Sequence, residues 1–339
     1  MSDNAPAIRI FTPQDADPGV LDSLRISVLG YGHLGRPMAL NLRDSGITQL
    51  VVGNIADGYA EAARQDGFVV QPLGQAAAYG DIVLILVPDE VIPEVFAAEI
   101  VPNLRPGSAI VFASGYTLAY GLAEPPPGID VLLLAPRMGG ENLRLRFLNG
   151  EGSFACVGVE QDASGQAWPR LLALAARVGL LQAAVELSAR LEADLDLFVE
   201  QTMGAALGLA IMNAFAVGVE AGIPPEALVI EMYMSGEMET VFRAFREQGF
   251  FGAAGTHGPT AMYGGFMGTL HLTQADLVGR FREILADIQS GKFARQFQAE
   301  REAGYPMMAQ AQRMRLPDNP ITQAELRVRA RLAEAVPKP

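Results

Sequence analysis

The chain has 339 residues, half of them apolar and 19% charged, which is enough for two globular domains rather than one. Its formal charge of −13 excludes nucleic acid as the natural class of partner, because affinity for a polyanion comes largely from Lys and Arg neutralising phosphates. The single cysteine, Cys156, excludes an internal disulfide, and the polar start MSDNAP lacks the basic and apolar segments of a secretory signal. A cytoplasmic protein acting on a small molecule is expected, with neither nucleic acid nor membrane as partner.

From Arg25 the chain reads RISVLGYGHLGRPMALNLRDSG: a short β-rich run, a glycine turn, then a helical pattern. The turn, Gly30-Tyr31-Gly32-His33-Leu34-Gly35, has the spacing of a dinucleotide fingerprint. Its first glycine serves the tight turn, its second lets pyrophosphate approach the backbone, and its third lets helix pack on strand. A glycine-rich turn with no ligand is the competing reading.

Further β-rich runs follow at LVVG, at FVV near residue 69, and at DIVLILVP, AIVFA, VLLLAP and FACVGV, with helical stretches between several of them. This alternation predicts a mostly parallel Rossmann sheet over residues 1–187, with ligand at the carboxyl ends of its strands. Asn54, Val87 and Pro88 fall at such ends and join the turn as expected cofactor contacts. Asp57 lies where the adenine ribose is usually met. A carboxylate there accepts from a 2′-hydroxyl and repels a 2′-phosphate, and no Lys or Arg occurs between Ile47 and Glu61, so NAD(H) is expected over NADP(H). Arg36 and Arg64 remain within reach of a phosphate, and Asp57 has a second reading as a helix cap.

Beyond Ser188 the β-rich runs stop, and residues 188–339 read as an all-helical domain. The apolar run Met203–Val219 has about the length of a membrane span, but its Asn213 and small residues and the absence of a basic flank predict a buried helix. In ARLEADLDLFVEQ, Glu192, Asp196 and Glu200 recur every fourth residue and share a helix face. Like charges at that spacing repel, so the face is either solvated or screened by a cation such as magnesium, which takes carboxylate oxygens. Glu231, Glu237 and Glu239 form a second acidic group with the same two readings.

Together these halves resemble ketol-acid reductoisomerase, which isomerises and reduces 2-acetohydroxy acids with Mg²⁺ and a nicotinamide cofactor. The resemblance runs through IFTPQDADPGVL, LGYGHLG, LNLRDSG, VPDE, QDASGQA, DLFVEQ, TAMYG and DIQSGKFA. It implies the knotted helical domain of that family, a homodimer or larger, and magnesium held by Asp196 and Glu200, with Asp196 bridging two ions. It also implies that glutamates of a partner subunit complete the second ion's shell. Glu231 matches the first of these. The second falls on Ser235, or on Glu237 if EMYMSGE carries two inserted residues, a bulge that Gly236 would permit. On an unbroken helix Glu231 and Glu237 would point about 120° apart.

The chain departs from the pattern at four polar positions. Ser114 replaces a histidine, Arg137 a lysine, Glu141 a histidine and Gly258 a serine. Of the remaining histidines, His33 lies in the glycine turn, while His257 and His271 lie near TAMYG, His257 beside the lost serine. The expectation is a reductase on this scaffold, reducing a 2-keto acid or imine analogue, with Arg137 holding a carboxylate and the isomerase step weakened or lost. An authentic divergent reductoisomerase acting on 2-acetolactate is the principal alternative. A 3-hydroxyacid dehydrogenase fits GHLGRPMALNL but lacks its lysine in the long helix, and a non-catalytic dinucleotide-binding protein is a fourth possibility.

Overall fold

The structure is a computed structural model and describes residues 8–253, 258–273, 276–313 and 316–335. Contacts divide the chain into two compact units, Met1–Asp196 and Leu197–Pro339.

The first unit is built on nine strands: β1 (Ile10–Phe11), β2 (Ile26–Leu29), β3 (Leu50–Gly53), β4 (Val69–Gln71), β5 (Ile82–Ile85), β6 (Ala109–Phe112), β7 (Asp130–Pro136), β8 (Phe154–Gln161) and β9 (Ala183–Glu186). They lie in the order β1-β9-β8-β7-β6-β5-β2-β3-β4. From β4 to β7 every neighbouring pair is parallel, β8 turns antiparallel to β7, and β1 closes the edge antiparallel to β9.

Alternation along each strand divides the core between the two faces of the sheet. Ile26, Val28, Ile82 and Leu84 join Met38, Leu42, Leu171 and Leu174 on one side, whereas Leu29, Val83 and Ile85 join Leu73, Phe96, Ile100 and Phe112 on the other. All residues of β2, β5 and β6 are buried, as expected for central strands covered on both faces. The strand order reverses between β2 and β5, and the loops leaving them diverge there to open a crevice. The six runs from LVVG to FACVGV all become strands. β1 and β9 were not anticipated; their edge is held by the Arg9–Glu186 ion pair, with Arg9 stacked over Trp168.

Among the described residues, every regular element of the second unit is helical. A small core gathers Phe215, Val229, Ala324 and Val328, and Tyr233 donates its hydroxyl to Glu325 at 2.7 Å. The expectation of a buried helix at Met203–Val219 is corrected. Of the Ala205–Glu220 helix only Phe215 and Gly218 are buried, while Leu207, Leu209 and Val217 are exposed. An apolar sequence can stay helical on local hydrogen bonds without its own chain covering it. The Pro259–Leu272 helix likewise buries nothing and exposes Met262, Tyr263, Phe266 and Leu270.

Candidate cofactor and active site

The three glycines of the turn have three separate jobs. Gly30 adopts φ +97°, and a Cβ there would sit 2.7 Å from the Leu86 carbonyl oxygen on the loop after β5. A Cβ at Gly35 would strike the Gly30 carbonyl, so the Gly35–Asp44 helix can start this close to β2 only without a side chain. At Gly32 nothing lies within 4 Å, which leaves open space above the backbone where a pyrophosphate would approach.

The turn is held from beneath. The Tyr31 amide donates to Asn54 Oδ1 at 3.0 Å, and Asn54 Nδ2 donates to Asp57 Oδ1 at 2.8 Å. That same oxygen caps the Gly58–Gln65 helix, accepting from the amides of Tyr59 and Ala60, so the capping reading of Asp57 holds. The Tyr31 ring is buried and its hydroxyl donates to Asp66 at 2.8 Å; burial together with Asp66 pushes the phenol pKa upward. Asp66 also binds Arg36 at 2.7 Å, and Arg64 pairs with Glu61. Both arginines within reach of a 2′-phosphate are therefore engaged by carboxylates of the protein.

A cavity of about 670 Å³ fills the crevice, and its lining brings together Gly30, Tyr31, Gly32, His33, Leu34, Asn54, Asp57, Val87, Pro88 and Ser114. Among the described residues no Lys or Arg lines it. Gly35 alone of the expected cofactor residues stays behind the turn. The His33 ring packs on Gly139 and Gly140, the latter at φ +57°, which ties the turn to the loop after β7.

Next to this cavity, past Ser114, four polar groups converge. Glu192, 1% exposed, accepts from the Gly115 amide at 2.6 Å and from Arg137 Nη2 at 2.5 Å. Arg137 Nη1 donates to Asp196 Oδ1 at 2.7 Å, and Nε points at the Ala135 carbonyl at 3.4 Å. Burial works against the Arg137 charge, but Glu192 and Asp196 more than restore it, and the guanidinium holds its proton more firmly than an ordinary arginine. Ser114 Oγ accepts from the Tyr116 amide at 3.1 Å, and Gly115 next to it lies so close to the Ala189 carbonyl that a side chain there would clash. The β6 loop is thus docked on the start of the Ala189–Val199 helix.

Of two further residues here, one had two sequence readings and the other had none. The solvated-face reading fails for Glu192, which is buried and paired; the signal was its place one turn before Asp196, where a repelling charge implies a nearby cation. Asp89, in the quoted VPDE block, lines the cavity, and its pKa is pushed up to about 6 by burial and then by Glu90, Glu192 and Asp196.

The remaining expected ligands lie on distorted helix. Glu200 opens a π-helical turn, Glu200–Gly204, and Glu231 lies in another, Ile230–Met234. Gly236 at φ +81° then breaks the chain direction, and Glu237 begins the Glu237–Gln248 helix. The helix is broken at Gly236, so Glu231 and Glu237 do not share an unbroken helix. Among the described residues no three His, Cys, Asp or Glu side chains cluster so as to hold a metal ion. Gly258 caps the Pro259–Leu272 helix, and Glu141 lies exposed in the first turn of the Gly140–Leu148 helix. His271 is exposed in the last turn of the former helix, and His257 lies outside the described residues.

Sheet order, glycine turn and crevice together define a dinucleotide-binding domain of the NAD(P)H-dependent oxidoreductase class. Residues 20–184 match the family model for the acetohydroxy acid isomeroreductase NADPH-binding domain, and residues 190–334 match that for the ketol-acid reductoisomerase C-terminal domain. The chain belongs to the ketol-acid reductoisomerase family and is an NAD(P)H-dependent oxidoreductase. A ketol-acid reductoisomerase (NADP(+)) from Methanopyrus kandleri is 38% identical over 304 residues, covering 88% of this chain and 91% of that protein. The solved structure of an NADH-preferring ketol-acid reductoisomerase from an uncultured archean has a TM-score of 0.89 at 31% identity, covering 95% of this chain and 98% of the other.

Proposed function

We propose that this chain is a reductase on the reductoisomerase scaffold, delivering hydride to a 2-keto acid or its imine analogue, with the alkyl-migration step weakened or lost. The observation that carries this reading is Arg137 bound to both Glu192 and Asp196. Migration needs a tertiary hydroxyl to surrender its proton, and a guanidinium clamped between two carboxylates is a poor partner for that transfer. Hydride transfer asks less: a bound cofactor, a positioned carbonyl, and positive charge against the oxygen that becomes an alkoxide. Ser114, Glu141 and Gly258 point the same way, since each replaces a polar group of the family pattern.

In this reading Asp196 and Glu200 hold magnesium, which when bound polarises the substrate's oxygens; their carboxylates are the hard donors this ion takes. Glu231 and Glu237 reach the site from a second subunit. The exposed apolar helices are the contact face of a homodimer or larger assembly rather than lipid-facing, and the assembly is cytoplasmic. NADH is preferred, for three reasons: Asp57 at the ribose position, Arg36 and Arg64 already paired, and a structural relative that itself prefers NADH. Residues 1–187 form the cofactor domain and 188–339 the metal, substrate and dimerisation domain.

The second reading, an authentic reductoisomerase, is favoured by retention of Asp196, Glu200 and Glu231 and by 38% identity to a reductoisomerase across 88% of the chain. A paired assay separates the two. With NADH or NADPH and Mg²⁺, the reductase turns over 3-hydroxy-3-methyl-2-oxobutanoate but not 2-acetolactate. Reduction of both to the diol overturns it in favour of the reductoisomerase, and turnover of neither overturns it in favour of another substrate or of cofactor binding without catalysis.

A further inference from the structure

Arg137 holds its two carboxylates unequally. Glu192 is buried and fixed by a second bond from the Gly115 amide, whereas the Asp196 side chain is 45% exposed. One arm of the guanidinium is therefore anchored, and the other reaches out to a carboxylate that solvent also reaches. Planar fork geometry makes this possible: Nη1 and Nη2 address Asp196 and Glu192 separately, where a lysine would present a single point of charge. The guanidinium cannot swing away without stripping buried Glu192 of its opposite charge, so its own charge stays beside Asp196 whatever else binds there.

We propose that Arg137 is a built-in competitor for the divalent cation at Asp196, a positioning residue that weakens metal binding until an anionic substrate offsets its charge. The inference rests on the reading that Asp196 ligates magnesium. A dication at Asp196 must displace or share the Nη1 hydrogen bond and sit close to a positive charge that Glu192 holds in place. In such a site the cation binds weakly to the free protein and tightly only when a bound carboxylate balances the arginine. Metal and substrate then arrive as a coupled pair.

The test is Mn²⁺ binding to the full-length protein without substrate or cofactor, read by the electron paramagnetic resonance signal of the free ion, with circular dichroism as the fold check. Arg137→Gln removes the competing charge and tightens Mn²⁺ on the order of tenfold, the worth of one charge-assisted contact. Arg137→Lys keeps the charge but loses the fork, and tightens it by a smaller factor. Unchanged or weaker binding in a folded Arg137→Gln overturns the proposal. Should that variant fail to fold, an Arg137→Lys affinity equal to that of the natural protein does so. Asp196→Asn tells this failure from that of the underlying reading: if it abolishes Mn²⁺ binding while the arginine variants change nothing, only the competition is wrong. If it leaves binding intact, magnesium at Asp196 falls and the competition with it.

Discussion

Gly35 and Gly30 meet backbone to backbone: any side chain at Gly35 would collide with the Gly30 carbonyl, whereas Gly32, between them in sequence, faces empty space. Two alanine substitutions three residues apart should therefore behave in opposite ways. Gly35→Ala overpacks the start of the helix and costs about 1–3 kcal/mol or more, visible as a lower denaturation midpoint. Gly32→Ala leaves that midpoint unchanged but obstructs the cofactor, raising the NADH dissociation constant on the order of tenfold or more, measurable by quenching of the lone Trp168 or by calorimetry. Equal stability losses in both variants would contradict these separate roles.

Asp57→Ser separates capping from cofactor selection. Serine also caps helices well, so stability should change by only a few tenths of a kcal/mol. The negative charge at the ribose position is lost, and the ratio of NADPH to NADH affinity should rise on the order of tenfold. No change in that ratio would leave Asp57 with its cap alone.

Glu192→Ala strands Arg137 on its buried side and removes the acceptor of the Gly115 amide. Breaking a buried pair from one side costs about 3–5 kcal/mol, whereas Asp196→Ala, at the half-exposed end of the same arginine, costs about 1 kcal/mol or less. Urea denaturation of the two variants checks the order.

Asp89 should make stability fall as pH rises from about 4 through 6. Its folded-state pKa, about 6, lies above the ordinary carboxyl value, so the acid form is favoured in the fold. That contribution is complete below pH 4 and is lost as pH rises through 6. Asp89→Asn should therefore melt higher than the natural protein at pH 8 and at the same temperature at pH 4. An identical difference at both pH values would show that ionisation of Asp89 plays no part.

The Rossmann strands were legible because central parallel strands are uninterrupted apolar runs bounded by turn residues, as in DIVLILVP and AIVFA. β9 was not, because AAVE is too short and too alanine-rich to signal a strand, and it exists through pairing with β8 and through Glu186 meeting Arg9, 177 residues upstream. The glycine turn carried its own geometry in its spacing. Its Tyr31 did not: nothing local says that this ring dives inward to Asp66. Glu192 carried two readings, solvated or beside a cation, because the residue that decides between them, Arg137, lies at the end of a distant strand. The apolar sequence of Ala205–Glu220 announced a helix correctly but said nothing of what covers it, since apolarity records that burial occurs somewhere and not by which chain.

The break at Ser235 and Gly236 also bears on how this fold absorbs changes of length. Two residues added to a continuous helix would rotate everything beyond them by about 200° and turn a packed face outward. Here the π-helical turn Ile230–Met234 ends one helix and Gly236, at φ +81°, starts the next, so a change of length at this point would stay local. The joint works as an expansion gap: segments on its two sides can drift independently in sequence, each keeping its own packing, provided the glycine between them is kept.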